Sequence, residues 1–206
     1  MQGLYVITDS NLISEINFIK SIEQAIIGGA KIIQYRNKNN QSHKYIDLAI
    51  ALKDLCQQYK IPLIINDDIQ LAKQIEADGV HLGKDDLKLS MARNILGNDA
   101  IIGISCYNKI SLAQQAIASG ANYIAFGSFF SSSTKPQATP CNIDILRQAR
   151  KTFTCPIVAI GGITPNNGSE LITAGADCLA VIHGVFGQPD ITSAAQKYSQ
   201  LFLDNS

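Results

Sequence analysis

Three kinds of chemically capable residue recur along the chain, each just after a short apolar run. Cations come first. In Gln34-Tyr35-Arg36-Asn37-Lys38 the residues Gln34, Arg36 and Lys38 alternate, so an extended backbone projects them to one side. Arginine offers phosphate oxygens a planar fork, and lysine a mobile point charge. Lys135 closes the hydroxyl-rich Ser131-Ser132-Ser133-Thr134-Lys135, a composition that can donate several hydrogen bonds to an anion. A solvated strand end and a flexible serine linker are the bland alternatives. A linker does not normally interrupt a strand–helix unit, which favours the binding reading.

Carboxylates form the second set. Asp67, Asp68, Asp85 and Asp86 follow two neighbouring apolar runs. Such oxygen ligands suit magnesium, which takes one or two carboxylates together with waters and phosphate oxygens. Aspartate before a helix also caps free amides, so one member of each pair is expected to cap and the other to face the site. Glycines are the third set, in Ile160-Gly161-Gly162-Ile163 and Ile182-His183-Gly184, where backbone amides are open to a phosphate. Carboxylates opposite Arg36, Lys38 and Lys135 suggest a pyrophosphate shared by metal and cations. Of the histidines, His43 reads as a surface or capping residue, His81 as a satisfied core or rim residue, and His183 as a strand-end residue. None has metal-ligand spacing, and none is assigned a general-base role. The five cysteines lack metal or redox spacing and read as small hydrophobes.

These residues need a scaffold that gathers strand ends. Nearly continuous apolar runs at Gly3–Thr8, Lys31–Arg36, Pro62–Asn66, Gly79–Leu82, Ala100–Ser105, Asn122–Gly127, Pro156–Gly161 and Asp177–Ile182 predict eight strands buried on both faces. Helix-compatible stretches lie between them, including His43–Tyr59, Ile69–Glu76, Ser111–Ser119, Asn142–Lys151 and Thr192–Leu203. The junctions Gly29-Ala30, Asp78-Gly79, Gly120-Ala121 and Gly175-Ala176 recur every two strand–helix units, with glycine as the expected helix cap. Four such quarters predict an α/β fold, a single (β/α)8 TIM barrel spanning 1–206, whose strand C-termini form the active face. The alternative, a doubly wound open sheet, needs a glycine fingerprint where the chain reads Thr8-Asp9-Ser10-Asn11.

Seventeen basic and seventeen acidic residues give no net charge, which argues against nucleic acid or a membrane surface as partner. Apolar residues at 46% and charged residues at 17% exclude disorder. The N-terminus does not read as a signal peptide, and no run is long enough to span a membrane. A cytoplasmic protein is expected, and homo-oligomerisation stays open.

Taken together, the motifs resemble the thiamine phosphate synthase family over essentially the whole chain. The resemblance rests on Q-x-R-x-K at Gln34–Lys38, N-D at Asn66-Asp67 and G-V-H-L-G-x-x-D at Gly79–Asp86, then G-I-S at Gly103–Ser105, T-K at Thr134-Lys135 and A-I-G-G-I at Ala159–Ile163. It implies a transferase of thiamine biosynthesis, acting on two small-molecule substrates. A pyrimidine diphosphate loses pyrophosphate and a thiazole phosphate takes its place, through a dissociative step assisted by Mg2+. Arg36, Lys38 and Lys135 would be catalytic, and Asp67 and Asp86 would hold the metal. Gln34, Asn66 and Ser105 would join the cations on the pyrimidine diphosphate, while Ser132, Thr134, Gly162, Ile182 and His183 would meet the thiazole phosphate. Tyr35, Asn37 and Ser133 share these segments and complete the candidate binding residues. Two departures stand out: Ser132 replaces a common threonine and His183 a common serine. A thiazole tautomerase would not need the full diphosphate and magnesium set, and a non-catalytic phosphate sensor leaves the paired aspartates without a task.

Overall fold

Eight short strands pair in sequence order, each parallel to the next, and the last closes on the first. They are β1 (Gly3–Ile7), β2 (Ala30–Tyr35), β3 (Leu63–Asn66), β4 (Gly79–Leu82), β5 (Ile101–Tyr107), β6 (Tyr123–Phe126), β7 (Ile157–Ile160) and β8 (Cys178–Val181). The computed structural model describes residues 1–37, 43–83, 86–131 and 139–204, and within these the side chains of all but residues 43, 44 and 86–88. The architecture is the (β/α)8 barrel expected from the sequence. Strand alternation explains the two-sided burial. Leu4 and Val6 of β1 face the surrounding helices, while Tyr5 and Ile7 join Ile32, Ile64 and Val158 inside the barrel.

The helices are α1 (Phe18–Ile27), α2 (His43–Tyr59), α3 (Ile69–Gln74), α4 (Asp86–Leu96), α5 (Ile110–Ala118), α6 (Asp144–Thr152), α7 (Gly168–Thr173), α8 (His183–Phe186) and α9 (Ile191–Asp204). Crossovers as short as the six-residue α3 and α7 let so brief a chain complete the ring. The last helix, α9, lies against α1: Ser199 Oγ donates to the Gly28 carbonyl at 3.0 Å and Thr192 Oγ1 to that of Gln24 at 3.2 Å.

At the strand N-termini one clamp is built three times. Asp78 accepts the Leu63 amide at 2.8 Å and Lys53 Nζ at 3.1 Å. Asn122 accepts the Ile102 amide at 2.9 Å and Arg93 Nη2 at 2.8 Å. Asp177 accepts the Ile157 amide at 2.7 Å and pairs with Arg150. Each clamp follows a left-handed residue two positions earlier: Glu76 (φ 52°), Gly120 (φ 93°) and Gly175 (φ 116°). The expected periodicity is therefore present, but its second junction is misplaced by the glycine rule. Glu76, not Gly79, turns the chain out of the helix there. Gly79 serves packing instead, because a Cβ at that position would lie 1.8 Å from the Ile101 carbonyl oxygen on β5.

Candidate active site

The strand C-termini open onto a cavity of about 400 Å³ lined by Gln34, Arg36, Asn66, His81, Ser105, Gly162 and Ile182 among others. Its floor is a chain of hydrogen bonds across the barrel. Gln34 Nε2 donates to the Tyr5 hydroxyl at 2.8 Å, which lies 2.9 Å from that of Tyr123. The Tyr123 hydroxyl meets His81 Nδ1 at 2.9 Å, and His81 Nε2 meets Ser105 Oγ at 2.9 Å. His81 also stacks on the Tyr123 ring, with centroids 5.6 Å apart. Burial raises the pKa of both tyrosines, so both stay protonated. The chain fixes Gln34 and Ser105 from below and leaves the cavity walls apolar, with Ile7, Val158 and Ile160. Gly103 makes it possible: a Cβ there would fall 1.8 Å from the Tyr123 ring.

Arg36 is held from two sides. Its amide donates to Thr8 Oγ1 at 2.9 Å, and that hydroxyl donates to the Arg36 carbonyl at 3.0 Å. Asp9, 5% exposed, places Oδ2 3.7 Å from Arg36 Nη1. That distance is too long for a hydrogen bond. Nη1 is thus buried without a hydrogen-bond partner among the described residues, a donor whose acceptor those residues do not supply.

Two candidates next to Arg36 turn away from the mouth. Tyr35 lies between the barrel and α2, stacks on Tyr45 at 5.3 Å and donates its hydroxyl to the Tyr45 carbonyl at 3.0 Å. Asn37 follows it to a separate hollow of about 130 Å³ beside Ser10, Ser14 and Phe18. Strand alternation is the reason: if Gln34 and Arg36 face the cavity, Tyr35 and Asn37 cannot.

At the end of β3, Asn66 Nδ2 donates to Asp67 Oδ2 at 2.8 Å. Asp67 adopts φ 62° and its amide donates to the His81 carbonyl at 2.9 Å, which locks the residue at the rim. Asp68 caps α3 by accepting the Leu71 amide at 2.9 Å, the capping role expected of one member of the pair. Asp67 is the type of oxygen donor that magnesium takes, and its Oδ1 has no hydrogen-bond partner among the described residues. Asp86 begins α4, but its side chain lies outside the described residues, as do Lys38, Ser132, Ser133, Thr134 and Lys135.

The far side of the mouth is backbone. Beyond β6 the chain runs beside the end of β7, where the Phe129 amide donates to Ile160 at 3.2 Å and that of Phe130 to Gly161 at 3.0 Å. A Cβ on Gly162 (φ 60°) would stand 2.3 Å from the Ser131 carbonyl oxygen, so only glycine admits this approach. Ile182 precedes α8, whose first amides, at His183 and Gly184, have no intrahelical acceptor. The His183 imidazole folds along α8 and lies over Gly187. Sequence reasoning missed Tyr5, Tyr123 and Asp9. The inward alternation of Tyr5 with Ile7 on β1 was the available signal.

The chain that builds this mouth, with Arg36 among its lining and glycine loops on its far side, has counterparts among known proteins. The sequence profile of the family described as thiamine monophosphate synthase matches residues 4–185. The chain belongs to the thiamine monophosphate synthase family. A thiamine-phosphate synthase of Nitrosococcus oceani is 48% identical over 202 residues, covering 98% of this chain and 93% of that protein. Another, of Marinobacter nauticus, is 48% identical with coverages of 97% and 90%. The solved thiamine phosphate pyrophosphorylase from Pyrococcus furiosus superposes with a TM-score of 0.89 at 32% identity, over 98% of this chain and 96% of that one. The 3-hexulose-6-phosphate synthase of Salmonella typhimurium, 18% identical with a TM-score of 0.76, shares the barrel alone. The thiamine monophosphate synthase match ends within α8, so α9 lies beyond it.

Proposed function

We infer that the protein is a thiamine phosphate synthase. It joins 4-amino-2-methyl-5-(diphosphooxymethyl)pyrimidine to 4-methyl-5-(2-phosphooxyethyl)thiazole and releases pyrophosphate. The observation that carries this reading is Nη1 of Arg36, buried at the cavity without a hydrogen-bond partner among the described residues. With the Arg36 backbone held by Thr8, and with Asp9 3.7 Å from Nη1, a donor without an acceptor among the described residues is matched by a diphosphate oxygen. Gln34 and Ser105, pinned by the tyrosine–histidine chain of the floor, orient the pyrimidine ring between the apolar walls, with Asn66 at the rim.

In the reaction the C–O bond between the pyrimidine methylene and the diphosphate breaks, and both electrons leave with pyrophosphate. The thiazole nitrogen lone pair then forms the C–N bond. Such a dissociative path needs leaving-group stabilisation more than a base. Arg36, Lys38 and Lys135 supply positive charge to the departing diphosphate. Asp67 and Asp86 would hold Mg2+, which when bound neutralises developing charge on the diphosphate oxygens. The apolar walls keep water from the electrophilic carbon. The amides around Gly162 and at the start of α8 take the thiazole phosphate, with Ser132 and Thr134 donating from the β6 loop. His183 contributes its backbone here, since its ring lies over Gly187.

One barrel domain spanning 1–206 carries the whole reaction on small-molecule substrates. No helix among the described residues is long and apolar enough to cross a membrane, and a cytoplasmic site suits two phosphorylated substrates. Purified protein supplied with both heterocyclic phosphates and magnesium is expected to accumulate thiamine phosphate. Absence of product under those conditions would refute the reading.

A further inference from the structure

The two backbone loops that take the thiazole phosphate come from different strands, and their amides act together only if the loops keep a fixed separation. One side chain spans them. Tyr198, on the inner face of α9 and 1% exposed, donates its hydroxyl to the Ile163 carbonyl at 2.9 Å, immediately after Gly162. The same hydroxyl faces Gly184 at the start of α8: a Cβ on Gly184 would lie 2.1 Å from it and 2.9 Å from Val181 Cγ1. Burial pushes the hydroxyl up to about 12, so it stays a donor throughout the neutral range. The helix carrying it is tied independently to α1 through Ser199 and Thr192. Tyr198 therefore rests on a helix anchored at α1 as well as packed on α7 and α8.

We propose that Tyr198 is a positioning residue for the thiazole phosphate, setting the distance between the Gly162 and Gly184 loops from outside the site. This rests on the assignment of those loops to the thiazole phosphate. The hydroxyl holds the β7 loop by its carbonyl, and its bulk sets how near α8 can approach. Without it the Ile163 carbonyl is buried unpaired and the loop must shift to find a partner. The Tyr198 hydroxyl reaches Ile163 and Gly184, not Gln34, Arg36 or Asn66, so the diphosphate side should not respond.

Calorimetry on the intact protein tests this without turnover. In Tyr198→Phe the Kd for the thiazole phosphate should rise about 3- to 10-fold, the range of one buried hydrogen bond, while the Kd for magnesium pyrophosphate stays within 2-fold. Gly184→Ala should weaken the thiazole phosphate in the same selective way. Combined with Tyr198→Phe it should recover part of that loss, because the added methyl then meets no hydroxyl. Unchanged thiazole phosphate binding in Tyr198→Phe, equal weakening of both ligands, or strictly additive losses in the double variant would each overturn the proposal. No thiazole phosphate binding by the parent protein would overturn it too. Binding without product formation in the parent would count against the synthase reading alone.

Discussion

Substituting Gly103 by alanine should damage the site through a side chain 20 residues away. The new methyl would begin 1.8 Å from Tyr123 Cζ, about half a carbon–carbon contact distance. Backbone holds Gly103 on β5, paired with β4 and β6, so the ring must move. Tyr123 is fully buried and its hydroxyl meets both Tyr5 and His81 at 2.9 Å. Two buried hydrogen bonds at about 1 kcal/mol each, with about 1–3 kcal/mol for overpacking, place the cost at about 3–5 kcal/mol. For a chain of this length that lowers Tm by about 10 °C. Thermal denaturation followed by circular dichroism reads the stability. KM for the pyrimidine diphosphate should rise as well, since His81 then no longer steadies Ser105. In a Tyr123→Leu background the same substitution should cost less than half as much, because the ring it strikes is gone. A loss below about 1 kcal/mol in the parent, or an equal loss in both backgrounds, would refute the steric reasoning.

Asp67→Asn should fold normally, since asparagine tolerates the left-handed backbone at this position, yet require several-fold more magnesium for half-maximal turnover; an unchanged magnesium titration would remove Asp67 from the metal site. His183→Ser should keep kcat/KM within a few fold, because the ring lies over Gly187 rather than on a ligand, and a loss beyond 10-fold would give the imidazole a role of its own. Burial pushes Cys56, Cys106 and Cys178 up to about 12 from an ordinary value near 9. Above pH 9 the unfolded chain releases protons that the folded chain retains, so stability is full below about pH 9 and declines between pH 9 and 12. Urea midpoints at pH 8 and 10.5 check this, and a flat profile would contradict the burial. Glu76→Gly relieves a left-handed glutamate and should be neutral to stabilising by up to about 1 kcal/mol; a clear loss of stability would mean that the glutamate side chain holds the junction.

The barrel was legible because parallel strands buried on both faces leave continuous apolar runs that survive without alignment. The candidate polar residues were legible for a related reason: runs end where side chains must become chemical. Asp68 could be read as a cap from the three residues after it. What escaped was whatever depends on closure of the ring. Tyr5 and Tyr123 lie 118 positions apart and meet only inside the barrel, so neither looks polar in function from its own neighbours. Tyr198 answers to loops on β7 and β8 through a helix that reads simply as amphipathic. Tyr35 and Asn37 were drawn into the site by adjacency to Gln34 and Arg36, although the alternation that favoured those two excluded their neighbours. Gly79 looked like a helix cap because glycine is the usual one. The left-handed conformation belongs to Glu76, which no composition rule would choose.

Phosphorus NMR of a single reaction tests synthase chemistry at this mouth most directly. Pyrophosphate and thiamine phosphate should appear in a one-to-one ratio, only when both heterocyclic phosphates and magnesium are present, and Arg36→Met should slow both signals together by at least 100-fold. Isomerisation of the thiazole phosphate without the pyrimidine, or full activity in Arg36→Met, would contradict it.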